Sequence, residues 1–211
     1  MPLIVDHDER RRQIAEAAAR LIAERGCENI TLREVARAAG FSAAIIGHYF
    51  TDKQHMLIFT SRHARMRALQ AVDEHIDGMN APLAALAEFL PLDEKRRREW
   101  RMWFGFWGTS MSDPLIEAER VQGRRDAWNL IVRILRLGQA VGSVPADADV
   151  EEMGLVIQAM INGLASIVMH ECESWPEQRQ RDVLDRQIAL LCSSAAQGLA
   201  EERTVRESLI A

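Results

Sequence analysis

Proline and glycine are scarce in this 211-residue chain, six and twelve respectively, and neither falls into a period or a tract. That excludes collagen-like, linker-like and repeat architectures, and an apolar content of 48% excludes a disordered chain. Cysteine is rarer still. Cys27, Cys172 and Cys192 lie far apart without CxxC spacing, so neither a disulfide framework nor a zinc site is indicated and the thiols are expected to be reduced. Leu3 to Val5 runs directly into Asp6, His7, Asp8 and Glu9, so no export signal is read at the start. The longest apolar stretch, Met153 to Met169, is interrupted by Gln158, Asn162 and Ser166 and is shorter than the ~20 residues a bilayer needs; it is expected to be a buried helix. A cytoplasmic globular protein without a membrane partner is expected.

Catalytic signatures are missing as well. The chain has no GxSxG, no GxGxxG and no Gly-Lys-Ser/Thr phosphate loop, and His170-Glu171 is followed by Ser174 where a zinc protease needs its second histidine. His7, His48, His55, His63, His75 and His170 show no recurring ligand spacing. No enzyme, metal or cofactor is therefore expected.

Charge is abundant but unevenly placed. The net charge is −5, yet Glu9 to Arg67 holds eleven Lys and Arg against six Asp and Glu, while Ala68 to Ala211 holds fifteen against twenty-three. The basic cluster includes Arg10, Arg11, Arg12, Arg33, Arg37, Lys53, Arg62, Arg65 and Arg67, the electrostatic footprint of a phosphate binder if it occupies one face.

Apolar spacing gives helices. Ile14, Ala17, Ala18, Leu21 and Ile22 mark a first helix that Gly26 ends with a left-handed cap. Thr31-Leu32-Arg33-Glu34 is a capping box that starts a second helix, with Leu32, Val35, Ala36 and Ala39 turned inward and Gly40 ending it after about two turns. Ser42 caps a third short helix reaching Phe50, and Asp52 caps a fourth running to about Asp77 before Gly78. Two short helices around Ala39-Gly40-Phe41-Ser42 have the spacing of a helix-turn-helix. Phe41 is expected to plug its core, and Ile45, Ile46 and Phe50 to hold the third helix to the first. Ala43, Ala44, Gly47 and His48 are then left facing outward. Such small exposed residues suit a helix whose backbone lies deep in a groove.

The run from Thr31 to Ala36, followed by Gly40 to Phe50 and by Asp52-Lys53, resembles the DNA-binding domain of TetR-family transcriptional repressors over about Arg10 to Phe59. The resemblance implies an all-α protein with an N-terminal three-helix helix-turn-helix domain over 9–55 and a larger ligand-binding and dimerisation domain over 56–200, about nine helices in all. It further implies a homodimer reading palindromic double-stranded operator DNA. Thr31, Tyr49 and Lys53 would hold phosphates, and Arg33, Ser42, Ala43, Ala44, Gly47 and His48 would lie near base edges. The family often has a bulky aromatic where this chain has Gly47, so specificity is expected to lean on Arg33, His48 and DNA shape. The competing classes are a helical interaction or ligand-binding protein without DNA binding, and an enzyme.

Beyond the fourth helix, Pro82 starts a short helix to about Leu90. Glu94 to Met111 then carries Trp100, Trp103, Phe104, Trp107 and Met111 on one stripe, which reads as core, as the wall of an effector cavity, or as both. A helix from Pro114 to about Gly138 turns Trp128, Ile131, Val132 and Leu135 inward, and another spans Val150 to Cys172. On the latter, Gln158, Asn162 and Ser166 recur every four residues on an apolar surface and need partners across a dimer interface, from water or from an effector. The last helix begins at Pro176 with Leu184, Ile188, Leu191 and Ala195 on one face, and the final two helices are expected to form a two-fold interface.

The run from Trp103 to Met111, with Pro114, is similar to the choline-responsive repressors that control glycine betaine synthesis. Where those proteins tend to carry an acidic residue and then a large aromatic, this chain has Asn162 and Ala165. A quaternary amine and a neutral apolar or aromatic molecule are thus both expected effectors.

Overall fold

The structure is a computed structural model that describes residues 6–77 and 81–208. Gly78 and the side chain of Ala195 lie outside the described residues. All regular structure among the described residues is helical: α1 (His7–Arg25), α2 (Leu32–Ala38), α3 (Ala43–Tyr49), α4 (Lys53–Asp77), α5 (Glu94–Ser110), α6 (Pro114–Ala140), α7 (Val150–His170) and α8 (Glu177–Ser208), with short 3-10 segments at Pro82–Phe89 and Cys172–Ser174. Two compact units form, Met1–Ala71 with Glu94–Arg125, and Val72–Asp93 with Asp126–Ala211. They divide differently from the expected 55/56 boundary, because α5 and the start of α6 pack with the N-terminal helices.

In the first unit local sequence starts each helix. Asp6 Oδ1 accepts from the Asp8 and Glu9 amides to open α1, the capping box at Thr31 and Glu34 is complete, and Ser42 Oγ accepts from the Ile45 amide. Gly26 has φ 79° but ψ 163°, so α1 ends on an extended glycine-only conformation and not on the expected left-handed helical cap. Gly40 has φ 78°, as the tight turn requires. The core combines Ile14, Ala18 and Ile22 of α1 with Ile30, Val35, Ile46, Phe50, Met56, Met102, Phe106 and Ile116. Phe41 packs at the edge of this core half-exposed, under the Arg10 guanidinium, and does not plug it.

The buried line of α5 is Met102, Phe106 and Ser110, one residue and therefore about 100° round from the expected stripe. Gly105 sets that choice: a Cβ there would stand 3.1 Å from Ile22 Cγ2, so its absence lets α5 close on α1.

The second unit packs α6, α7 and α8 with the Pro82–Phe89 segment. Leu86, Leu90, Ile131, Ile134, Leu135, Ile157, Ile161, Ala165, Val168 and Leu184 form its core. At Gly154 a Cβ would come within 2.8 Å of Val132 Cγ2, so this glycine admits α6 against α7. Helix α7 has 21 residues and is long and apolar enough to cross a bilayer, contrary to the length argument from sequence. Its residues are divided between a buried line and an outward face with Leu155, Val156 and Ile167 exposed.

Candidate nucleic-acid interface and sensor site

Helices α2 and α3 present Arg33, Arg37, Ser42, Ala43, Ala44, Gly47 and His48 to solvent. Ile46 and Phe50 fix α3 from below, both almost fully buried, with Phe50 packed edge-on against Phe59 and His55. The Arg11 guanidinium lies over Phe50 and Phe59 and donates to the Tyr49 carbonyl at 3.3 Å, tying α1 to the end of α3. Arg33 and Arg37 have no ion-pair partner among the described residues. Two cations thus stand unneutralised beside a small-residue helix face.

The three expected phosphate ligands are differently prepared. Lys53 Nζ donates to the Glu28 carbonyl oxygen at 2.9 Å, which aims the ammonium while leaving two of its three protons for another acceptor. The Tyr49 hydroxyl meets His7 Nδ1 at 3.0 Å. Thr31 Oγ1 donates to Glu34 Oε2 at 2.8 Å and accepts from the Glu34 amide, so its proton is committed to the cap. These bonds hold the Glu34 carboxyl below its ordinary range, Thr31 first among the causes.

The residues expected to line a sensor site do not all converge. Trp100, Phe104 and Trp107 form a mutually touching trio on α5, with ring centroids 5.5, 6.4 and 5.1 Å apart, two of the three contacts near edge-to-face and every ring half-buried. Trp103 turns toward the first unit's core. Met111 is 87% exposed and belongs to neither group, a correction to the stripe read from sequence. In the second unit Trp128 is half-buried, not turned fully inward; its Nε1 donates to the Glu151 carbonyl at 3.3 Å, and it lines an open groove of about 510 Å³ with Asn129, Arg133 and Arg136. Gln158 is buried, Asn162 half-buried and Ser166 exposed. Residues four apart drift about 40° per step on a helix of 3.6 residues per turn, so the expected polar row crosses from the core to the surface.

Sequence reasoning missed a buried carboxylate. Glu119 of α6 is 5% exposed and pairs with two arginines of α4, Arg62 Nε at 2.7 Å and Arg65 Nη1. A polar residue among the apolar positions of α6 was the available signal, three residues beyond buried Ile116.

Two short helices joined by the Gly40 turn, with two exposed arginines beside them, define a helix-turn-helix unit. Comparison with known proteins narrows this. Residues 14–58 match the family described as bacterial regulatory proteins, tetR family, and residues 82–193 match the BetI-type transcriptional repressor C-terminal family. The chain is 30% identical over 173 residues to the HTH-type transcriptional regulator BetI of Escherichia coli, covering 78% of this chain and 84% of that protein. With the regulator PksA of Bacillus subtilis it shares 34% over 110 residues, half of this chain and 54% of that one. A transcriptional regulator of Saccharomonospora viridis solved in complex with choline superposes with a TM-score of 0.75 at 27% identity, covering 87% of this chain and 97% of that chain. A TetR-family regulator of Rhodococcus, at 20% identity and TM-score 0.76 over 88% and 99% of the two chains, shares the fold. The chain belongs to the TetR family of bacterial transcriptional regulators, with a BetI-type C-terminal region. It is a DNA-binding regulator and not an enzyme.

Proposed function

We propose that the protein is a cytoplasmic homodimeric repressor that leaves a palindromic operator when a quaternary amine binds its sensor region. The operator-facing set is Arg33, Ser42, Ala43, Ala44, Gly47 and His48 at base edges, with Lys53, Tyr49 and Thr31 at phosphates. The support for the first group is its exposure on α2 and α3; for Lys53 it is the carbonyl that orients its ammonium. Thr31 contributes least, since its hydroxyl is occupied. The functional division is the headpiece over 9–55 and the sensing and dimerising part over 56–200.

Dimerisation uses the last two helices. Leu155, Val156 and Ile167 on α7 and Leu190 on α8 are exposed large apolar side chains, with Ala159 and Gly163 between them on α7. Ser166 lies on that same outward face and Asn162 at its border, so the interface role fits these two better than an effector role.

The observation that carries the effector reading is the trio Trp100, Phe104 and Trp107, whose rings are half-exposed and meet at angles of 37°, 82° and 86°. Ring faces attract a quaternary ammonium without asking it to shed hydrogen bonds, each contact contributing about 0.5–2 kcal/mol. Choline bound to the Saccharomonospora relative supports the same class. Release requires the effector to bind the operator-incompetent dimer better than the competent one.

Calorimetric titration with choline and with its neutral isostere, in which carbon replaces nitrogen, tests this. Choline binding at least about tenfold more tightly, and Trp107→Ala removing that preference, is expected. Equal affinities would replace the cation with a neutral apolar effector. Choline that leaves operator binding unchanged, measured by anisotropy, would overturn ligand release.

A further inference from the structure

Helix α4 leaves the headpiece and carries its direction onward, so whatever fixes α4 fixes where the recognition helix points. Two polar clamps bind it to α6. At its start, Gln54 Nε2 donates to Asp113 Oδ2 at 2.8 Å, while Asp113 Oδ1 accepts from the Leu115 and Ile116 amides and so caps α6. Gln54 is also the leading reason the Asp113 carboxyl lies below its ordinary range. Further along, Glu119 receives Arg62 Nε on Oε2 and Arg65 Nη1 on Oε1, and the same Arg65 nitrogen reaches the Glu119 carbonyl at 3.4 Å. Gly123, one turn later on α6, lies beside the Arg65 side chain, where an added Cβ would stand in ordinary contact 3.5 Å from Arg65 Cδ and Nη1.

A buried carboxylate bound by two guanidiniums is a geometric lock. Ion-pair and hydrogen-bond geometry is directional, and an α4 that rotated or slid on α6 would leave Glu119 buried without its partners. Apolar side chains would tolerate such sliding far better.

We propose that Glu119 is the positioning residue that sets the direction of α4 on α6, and through it the distance between the two recognition helices of the dimer. The inference rests on the dimeric, palindrome-reading function above. Two linked headpieces bind a full palindrome more tightly than one half-site because the second contact is intramolecular, a gain of about 10²–10⁴ that vanishes when geometry forbids both at once. Glu119 bonds to Arg62 and Arg65 of α4 and lies outside the α2–α3 face, so its replacement alters this gain and not the half-site affinity.

The test measures anisotropy of full-length protein on a duplex carrying the palindrome selected by the wild type and on one carrying a single half-site. Glu119→Gln, nearly isosteric, is expected to lower the palindrome-over-half-site ratio about tenfold while half-site affinity stays within about twofold. Glu119→Asp, which keeps the charge and withdraws the carboxylate from both guanidiniums, moves the ratio in the same direction and carries the test if the first variant fails to fold. An unchanged ratio in the folded variants overturns the role of Glu119. A wild-type ratio near one overturns the dimeric reading beneath it, and the proposal with it.

Discussion

Replacing Lys53 by alanine probes whether the oriented ammonium meets the DNA backbone. Its Nζ is held by a carbonyl oxygen 2.9 Å away, so the charge is aimed rather than neutralised. Each phosphate contact made by a cation releases counterions and contributes about 0.9 to the slope of log affinity against log salt. The proposed dimer would present Lys53 twice, so Lys53→Ala is expected to reduce the steepness of that slope by about 1.8, and doubling the salt concentration would weaken the variant roughly 3.5-fold less than the wild type. Lys53→Arg should retain most of the slope. The measurement is fluorescence anisotropy of a labelled operator across a potassium chloride series, with thermal melts confirming that both variants fold. An affinity loss with an unchanged slope would refute the phosphate role and leave Lys53 as a strap joining the loop after α1 to the start of α4.

Arg33→Ala should cost about 1–3 kcal/mol of discrimination at one or two base pairs, read with base-substituted operators at fixed salt; an unchanged preference would remove direct readout by this side chain. Phe50→Ala should destabilise the protein by about 3–5 kcal/mol in chemical denaturation, because the ring is almost fully buried against Phe59 and His55; a loss below about 1 kcal/mol would contradict the packing described. Burial pushes the Cys27 thiol up to about 11 from 9.0, so at neutral pH it should resist alkylation that modifies exposed Cys172 rapidly. A thiol whose pKa is raised by folding contributes stability that is present below its unfolded value and lost as pH rises between about 9 and 11, so Cys27→Ala should show a shallower decline there than the wild type.

The headpiece was legible because its signals are local. A capping box needs only Thr31 and Glu34, a tight turn only Gly40 at φ 78°, and a cap only Ser42, and each lies within four residues of the group it serves. Helix α5 was legible in its extent but not its orientation. Large rings at Trp100, Trp103, Phe104 and Trp107 suggested one inward face, whereas Gly105 against Ile22 turns Met102, Phe106 and Ser110 inward instead. That preference depends on a helix some eighty positions earlier in the chain, which no periodicity within α5 encodes. The same holds for Glu119, whose partners Arg62 and Arg65 are spaced as an ordinary basic helix face and acquire meaning only when α6 lies beside them.

The arrangement of the headpiece also explains why positioning should matter so much in this protein. The exposed part of α3 offers a serine, two alanines, a glycine and a histidine, side chains that supply shape and methyl contact but few hydrogen bonds to bases. A single headpiece with so few base-reading groups discriminates weakly. On the proposed reading, discrimination then comes from Arg33, from the deformability of the duplex and from the demand that both headpieces of the proposed dimer fit at once, and the last of these multiplies the others. A regulator built in this way gains the most from an α4 held by directional ionic bonds. On the proposed dimeric reading it would also release DNA readily, since a small reorientation of α4 would remove the simultaneous fit without disturbing the proposed base contacts.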